Sequence, residues 1–380
     1  MKKTLVALAT LATVSAYAQT VAITGGVNFG VFRSETSAQT FGSLKGDRTY
    51  LSFDVTEDIG GGTNVISRGQ MRFNSSNGAT WGSNTANSTE LGKGATLMEQ
   101  AMVGISNKNL GTIRFGRFTN DLGTYDYSTF EDSPLGTNAS GAIYGRLSGQ
   151  IQYTSPTVAG FTVSALTADA QANTWMASAS NGLQTGINYS TYSATGFNNL
   201  GAAIIKYENG PWLAQVASIG GLVGDKNTRI GIRYTAGNGA KYYFSSFKQG
   251  GNIGQVLTSM STTALYTMPV ARNSTYSYGL QEHTSTELGL AYPVSGQITL
   301  RGAYVTNNND LEVGKSDGTT KASKVAVGLD YALSKRSTII LQGSKVSNSS
   351  YAASLASIYS VSGTAGTGGS AYFVGLQSTF

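Results

Sequence analysis

RTYLSFDVTEDIGGGTNVISRGQMRF, residues 48–73, decides the fold. In its first half Leu51, Phe53 and Val55 alternate with Arg48, Tyr50, Ser52 and Asp54, and in its second half Val65, Met71 and Phe73 stand against Arg68, Gln70 and Arg72. Apolar and polar residues alternating at period two mark a strand with one face toward an apolar medium and the other toward water. Gly60, Gly61 and Gly62 between the halves supply the positive φ values of a tight turn. The stretch therefore reads as a β-hairpin with one clean apolar face and one polar face that carries arginines.

The same pattern spreads outward in both directions. On the N-terminal side TVAITGGVNFGVF (20–32) puts Val21, Ile23, Val27, Phe29 and Val31 on one face. On the C-terminal side VGISNKNLGTIRFGRF (103–118), QIQYTSPTVAGFTVSAL (150–166), AAIIKYENGPWLAQVAS (202–218), TRIGIRYTAGNGAKYYFSSF (228–247), ELGLAYPVSGQITLRGAYV (287–305) and KVAVGLDYALSKRSTIILQGS (324–344) each read as two strands joined by a short turn. SAYFVGLQSTF (370–380) is one further strand, ending on Phe380. Between the hairpins lie long polar stretches near 34–44, 74–98, 119–145, 169–198, 250–283, 307–322 and 348–369.

Short turns alternating with long loops, on strands of about ten residues, is the layout of a transmembrane β-barrel. A soluble sandwich has no reason to make every second connection short. Counting hairpins predicts an all-β fold, a barrel of sixteen antiparallel strands; residues 183–191 and 262–268 could instead add two strands and make eighteen. Phe53, Tyr153, Tyr207, Tyr234, Tyr292 and Tyr331 stand just before short turns on the apolar face, where an aromatic belt at one membrane interface would place them.

Composition agrees with this reading. The chain holds 49 glycines, 21 tyrosines and only 5 prolines, with 12% charged residues, which suits many strands and tight turns. No run approaches the 18 or so apolar residues that a membrane helix needs. Residues 1–18 have Lys2 and Lys3, an apolar run and then Ala16-Tyr17-Ala18, the three-part layout of a cleaved secretory signal, so the mature chain is expected to be a single barrel domain over 19–380. There are no cysteines, so disulfides do not hold the fold in the oxidising compartment to which that signal leads.

Several function classes fall away. The formal charge of +6 drops by two when Lys2 and Lys3 leave, too mild an excess to argue for nucleic acid. His283 is the only histidine and reads as a loop residue, no Cys/His cluster offers a metal site, and no Gly-Lys-Ser/Thr follows the 60–62 glycines to make a phosphate loop. No catalytic residue, metal ligand or cofactor is expected.

Alternation assigns Arg48, Arg68, Arg72, Arg114, Arg146, Arg229, Arg233 and Arg301 to the water-facing side, with Arg117 joining them where its strand ends. A charge facing hydrocarbon at mid-membrane costs about 2 to 4 kcal/mol, which supports the face assignment. The loop near 119–145 carries Asp121, Asp126, Glu131 and Asp132 and is longer than a connection in a compact fold normally is. These acids are expected to face the arginines across a pore, or else to cap turns or bind a cation.

In its whole layout, and in the strings YLSFDVTEDIGGG (50–62), VGISNKNLGTIRFGR (103–117), QYTSPTVAGF (152–161), YENGP (207–211), GLDYALSKRS (328–337) and the terminal Phe380, the chain resembles the general porins of Gram-negative bacteria, of the kind found in Neisseria and other β-proteobacteria. The resemblance implies a homotrimer of sixteen-stranded barrels in the outer membrane, passing ions and small hydrophilic solutes, in contact with lipid and lipopolysaccharide. It also implies that the third loop folds inward and narrows the pore, facing arginines on the wall. Arg117 and Arg146 match two of those wall positions, and Tyr50 occupies the third, with Arg48 two residues away. Phe380 matches the terminal residue that the assembly machinery recognises. The luminal arginines outnumber the strand acids Asp54, Glu287 and Asp330, which predicts a modest anion preference. A surface-binding barrel and a substrate-specific channel are the alternatives on the same fold.

Overall fold

The computed structural model describes residues 19–34, 37–42, 49–73 with 75, 99–122, 125–130, 146–168, 200–220, 226–250, 279–312, 319–348 and 369–380. In chain order the strands are β1 (Gln19–Ser34), β2 (Ser37–Gly42), β3 (Tyr50–Gly60), β4 (Thr63–Arg72), β5 (Gln100–Asn107), β6 (Gly111–Thr119), β7 (Arg146–Thr154), β8 (Phe161–Ala168), β9 (Leu200–Asn209), β10 (Trp212–Gly220), β11 (Lys226–Thr235), β12 (Lys241–Gly250), β13 (Gly279–Pro293), β14 (Ile298–Glu312), β15 (Thr319–Ala332), β16 (Ser337–Asn348) and β17 (Gly369–Thr379). Neighbours pair antiparallel, and β1 pairs with β17 to close the ring.

Seventeen segments make sixteen staves. β2 lies against Gly30 to Ser34 of β1, and β3 lies along the same edge of β1 against Gln19 to Gly26, so the two together form one stave. β8 pairs directly with β9, and β12 directly with β13, which leaves no place for the two extra strands of the eighteen-stranded alternative. Residues 183–191 and 262–268 lie outside the described residues.

Three loop boundaries differ from the sequence expectation. β2 forms within the stretch near 34–44; β13 begins at Gly279, inside the supposed 250–283 loop; and β14 and β15 run to Glu312 and from Thr319, narrowing the 307–322 loop. His283 accordingly sits in β13, opposite Gln249 and Asn309. Beyond the hydrocarbon both faces of a strand meet water, so ladder hydrogen bonds continue where apolar alternation has stopped.

Burial is inverted relative to a soluble protein. Val21, Ile23, Phe29, Val103, Ile105 and Val327 are exposed, while Ser52, Gln70, Gln152, Gln215, Ser245 and Gln342 are buried. The register of the 48–73 hairpin shows why: Leu51 opposes Met71 on the outer face, and Ser52 opposes Gln70 and Asp54 opposes Arg68 on the inner one. At the turn, Gly60, Gly61 and Gly62 have φ of 88°, 62° and 73°. The aromatic belt is present, with Tyr153 and Tyr292 exposed, and it includes residues the sequence reading passed over. Phe161 packs on Tyr207 and Trp212 on Tyr234, both at 4.7 Å between ring centroids.

The seam is closed by the chain's last residue. Phe380 N–H donates to the Gly25 carbonyl at 3.0 Å and Gly25 N–H to the Phe380 carbonyl at 3.1 Å. The ring lies on Gly25, where a β-carbon would come within 2.4 Å of it.

Candidate functional site: a loop docked on the luminal wall

After β6 the chain turns into the barrel and runs along the wall. Asp121 is its first anchor: its carboxylate takes Arg114 at 3.1 Å, Gln152 at 2.5 Å, Ser164 at 2.6 Å and Thr154 at 3.2 Å. Leu122, fully buried, packs with Leu147, Leu166, Ala168, Ile204, Ala217 and Ile219 on the inner faces of β7 to β10. This is an apolar patch in a lumen that the alternation rule makes polar, and the loop covers it. A single 3₁₀ turn, Tyr125–Tyr127, follows. Ser128 Oγ and the Thr129 N–H both donate to Glu287 on β13, with contacts of 2.9 Å. Phe130 then packs against Ala303 and Ala326 on β14 and β15.

Wall side chains hold this segment by its backbone carbonyls. Gln150 donates to Phe118 O at 2.5 Å, Gln215 to Asp121 O at 2.8 Å, Arg229 to Leu122 O at 2.6 Å and Arg301 to Thr129 O at 2.9 Å. An irregular segment buried inside a barrel carries carbonyls with no ladder partner, and a guanidinium supplies several donors in fixed geometry for them. Glycines on the wall make the room. A β-carbon on Gly231 would lie 2.4 Å from the Tyr127 ring, one on Gly289 would lie on Thr129 Oγ1, and one on Gly328 would lie 2.7 Å from the Phe130 ring. Burial pushes the Tyr127 phenol well above its ordinary range, and the neighbouring Asp126 carboxylate adds to this.

The residues singled out from the sequence fall into separate groups. Tyr50, Arg68 and Arg72 stand on the inner face of β3 and β4; Arg68 pairs with Asp54 at 2.5 Å, and Arg72 pairs with Glu99 in a buried contact. Arg114 holds Asp121, so this loop acid is bound to the wall from which it emerges. Asp126 is the more exposed acid, 3.8 Å from Arg233. Arg117 departs from the expected face: it lies opposite Ala101, on the face of β6 that carries Ile113 and Phe115, and donates to Glu99 O and Ser148 Oγ, both at 3.0 Å. Alternation along β6 is unbroken, with Arg114, Gly116 and Phe118 on the inner face, so Arg117 falls on the other side; the register shift adds its extra residue on β7, where Gln150 to Leu147 spans three residues against two. Arg146 opens β7 opposite Thr119. Arg48, Glu131 and Asp132 lie outside the described residues. Among the described residues no group of acids and histidines could hold a metal ion.

A family model of Gram-negative porins matches residues 4–351. The chain belongs to the Gram-negative porin family. This porin shares its fold with the anion-selective porin from Comamonas acidovorans, at TM-score 0.63 and 18% identity, covering 96% of this chain and 100% of that one. OmpF of Salmonella typhi, solved with daunomycin, gives 0.61 at 13% identity over 95% and 97% of the two chains. The outer membrane channel DcaP of Acinetobacter baumannii gives 0.58 at 14% identity over 96% and 99%. No curated relative matches the chain. Family and fold together make the protein an outer-membrane diffusion channel, whose inner wall and docked loop are the surfaces that solutes meet.

Proposed function

We propose that this porin is a general diffusion pore with a weak anion preference, narrowed by the docked loop, and that it acts as a homotrimer after removal of residues 1–18. The observation that carries the selectivity is the pairing of the luminal acids. Asp54, Glu99, Asp121 and Asp330 each sit against an arginine, and Glu287 is taken up by the loop, while Lys241 is exposed with no ion pair among the described residues. Neutralised carboxylates beside a cation left over give a lumen of positive potential. The Comamonas acidovorans porin of the same fold is described as anion-selective, which fits this reading.

Trimer assembly is supported by family membership and by the trimer form of Vibrio cholerae OmpT among the similar folds. Contact with acidic lipid headgroups is supported by Arg33, Lys248 and Lys345, exposed on outward-facing positions near the long-loop ends of β1, β12 and β16. Reversal potentials in a KCl gradient across planar bilayers test the selectivity: a chloride preference is expected, and a clear potassium preference overturns it. Unheated protein on a gel is expected to migrate as a heat-labile trimer, and a single monomer band removes the assembly claim.

A further inference from the structure

Below the docked loop, on the side of the short turns, three cations converge on the inner wall. Lys241 opens β12 opposite Ala291 on β13, and Ala291 lies opposite Arg301 on β14, so Lys241 and Arg301 share one level with only an alanine between them. Adjacent strands lie about 4.8 Å apart, so the two stand roughly 10 Å apart at the backbone, within reach of one small ligand for side chains of this length. Arg233 lies one inward-facing step further along, opposite Tyr243, and the charges of Arg233 and Arg301 both act on Lys241.

The three are not equivalent. Arg233 is held by Asp126, with its Nη1 3.8 Å from the carboxylate and 3.5 Å from the carbonyl. Arg301 is held by Asp330 at 2.7 Å and by Thr129 O at 2.9 Å. Arg301 is fixed by the wall and the loop, Arg233 is more loosely engaged by the loop, and both keep exposed surface. Lys241 is exposed and has no ion pair among the described residues. Two positioned guanidiniums and an exposed ammonium repel one another when empty and are relieved when a doubly charged oxyanion bridges them. Asp126 and Asp330 flank the group and oppose an anion there only weakly, since each already faces an arginine.

We propose that Lys241, Arg233 and Arg301 form a subsite for divalent oxyanions, of the phosphate class, on the luminal wall at the short-turn side of the docked loop. The proposal rests on the channel reading and deepens its anion preference into a place and a ligand chemistry.

The test is a titration of single-channel chloride current with inorganic phosphate at mildly alkaline pH, where the dianion dominates. Wild-type current is expected to fall saturably. Lys241→Gln is expected to raise the half-blocking phosphate concentration by about tenfold, the loss of one charge-assisted contact. Lys241→Arg is expected to retain the block, and Lys206→Gln, a luminal charge on β9 outside the group, to leave it unchanged. Unheated gel migration shows that each variant is folded. A chloride preference with no saturable block overturns the subsite and leaves the anion reading standing; equal shifts in Lys241→Gln and Lys206→Gln also overturn it, as a general charge effect. A potassium preference in KCl overturns the anion reading itself.

Discussion

Tyr127 shows what a single residue does in the docked loop. Its ring fills the space left by Gly231, while its hydroxyl is buried with no hydrogen-bond partner. The ring therefore stabilises docking and the hydroxyl opposes it. Tyr127→Phe is expected to be neutral or to stabilise docking by about 1 kcal/mol, because a desolvated polar atom is removed. The raised phenol pKa gives the sign of a pH effect. A group whose pKa is raised on docking contributes stability that is intact below its ordinary value of 10.0 and is lost as pH rises beyond it. Open-channel noise in the wild type should grow toward about pH 11, and Tyr127→Phe should stay flat over the same range. At this scale the sequence is only partly legible. Arg68 and Arg72 could be read because unbroken alternation fixes their face; the same alternation puts Arg117 with Ile113 and Phe115, and the inward expectation failed because β6 does not end there but runs on to Thr119.

Among the elements, the strands were almost fully written in the pattern, since lipid on one side and water on the other forces period two along every stave. The errors are confined to strand ends outside the apolar band, at β2, β13, β14 and β15, where neither solvent imposes a pattern. The inward fold of the loop was expected from the resemblance, but the place where it docks was not read, for a different reason. What receives it is an absence of side chains, at Gly231, Gly289 and Gly328, and a glycine in a strand reads the same whether it admits a loop or merely bends a stave. Leu147, Leu166, Ile204 and Ile219 were a usable signal, because apolar residues on inner-face positions need something to cover them. Gly289→Val tests this docking site. Its added carbons would occupy the place of Thr129, an overpacking that costs about 1 to 3 kcal/mol. The expected outcome is a larger and noisier single-channel step with trimer migration unchanged; an unaltered step would mean that the loop narrows nothing.

Over the whole molecule the ring is closed by one seam, where β1 meets β17 and Phe380 exchanges two backbone hydrogen bonds with Gly25. Deleting Phe380 removes both bonds and the ring over Gly25, and should lower the fraction of chains that migrate as folded barrels, measured on unheated gels after refolding into detergent. The docked loop has a consequence for time rather than for transport. Ser128 and Thr129 find Glu287 and Arg301 across sequence separations of 158 to 172 residues, so the partners that hold the loop are synthesised long after it. Contacts that distant form late, after nearer strands have paired. A barrel under assembly is thus wide open first and becomes selective last, and protection of the 119–130 segment from added protease should appear only after β13 to β15 have joined the wall.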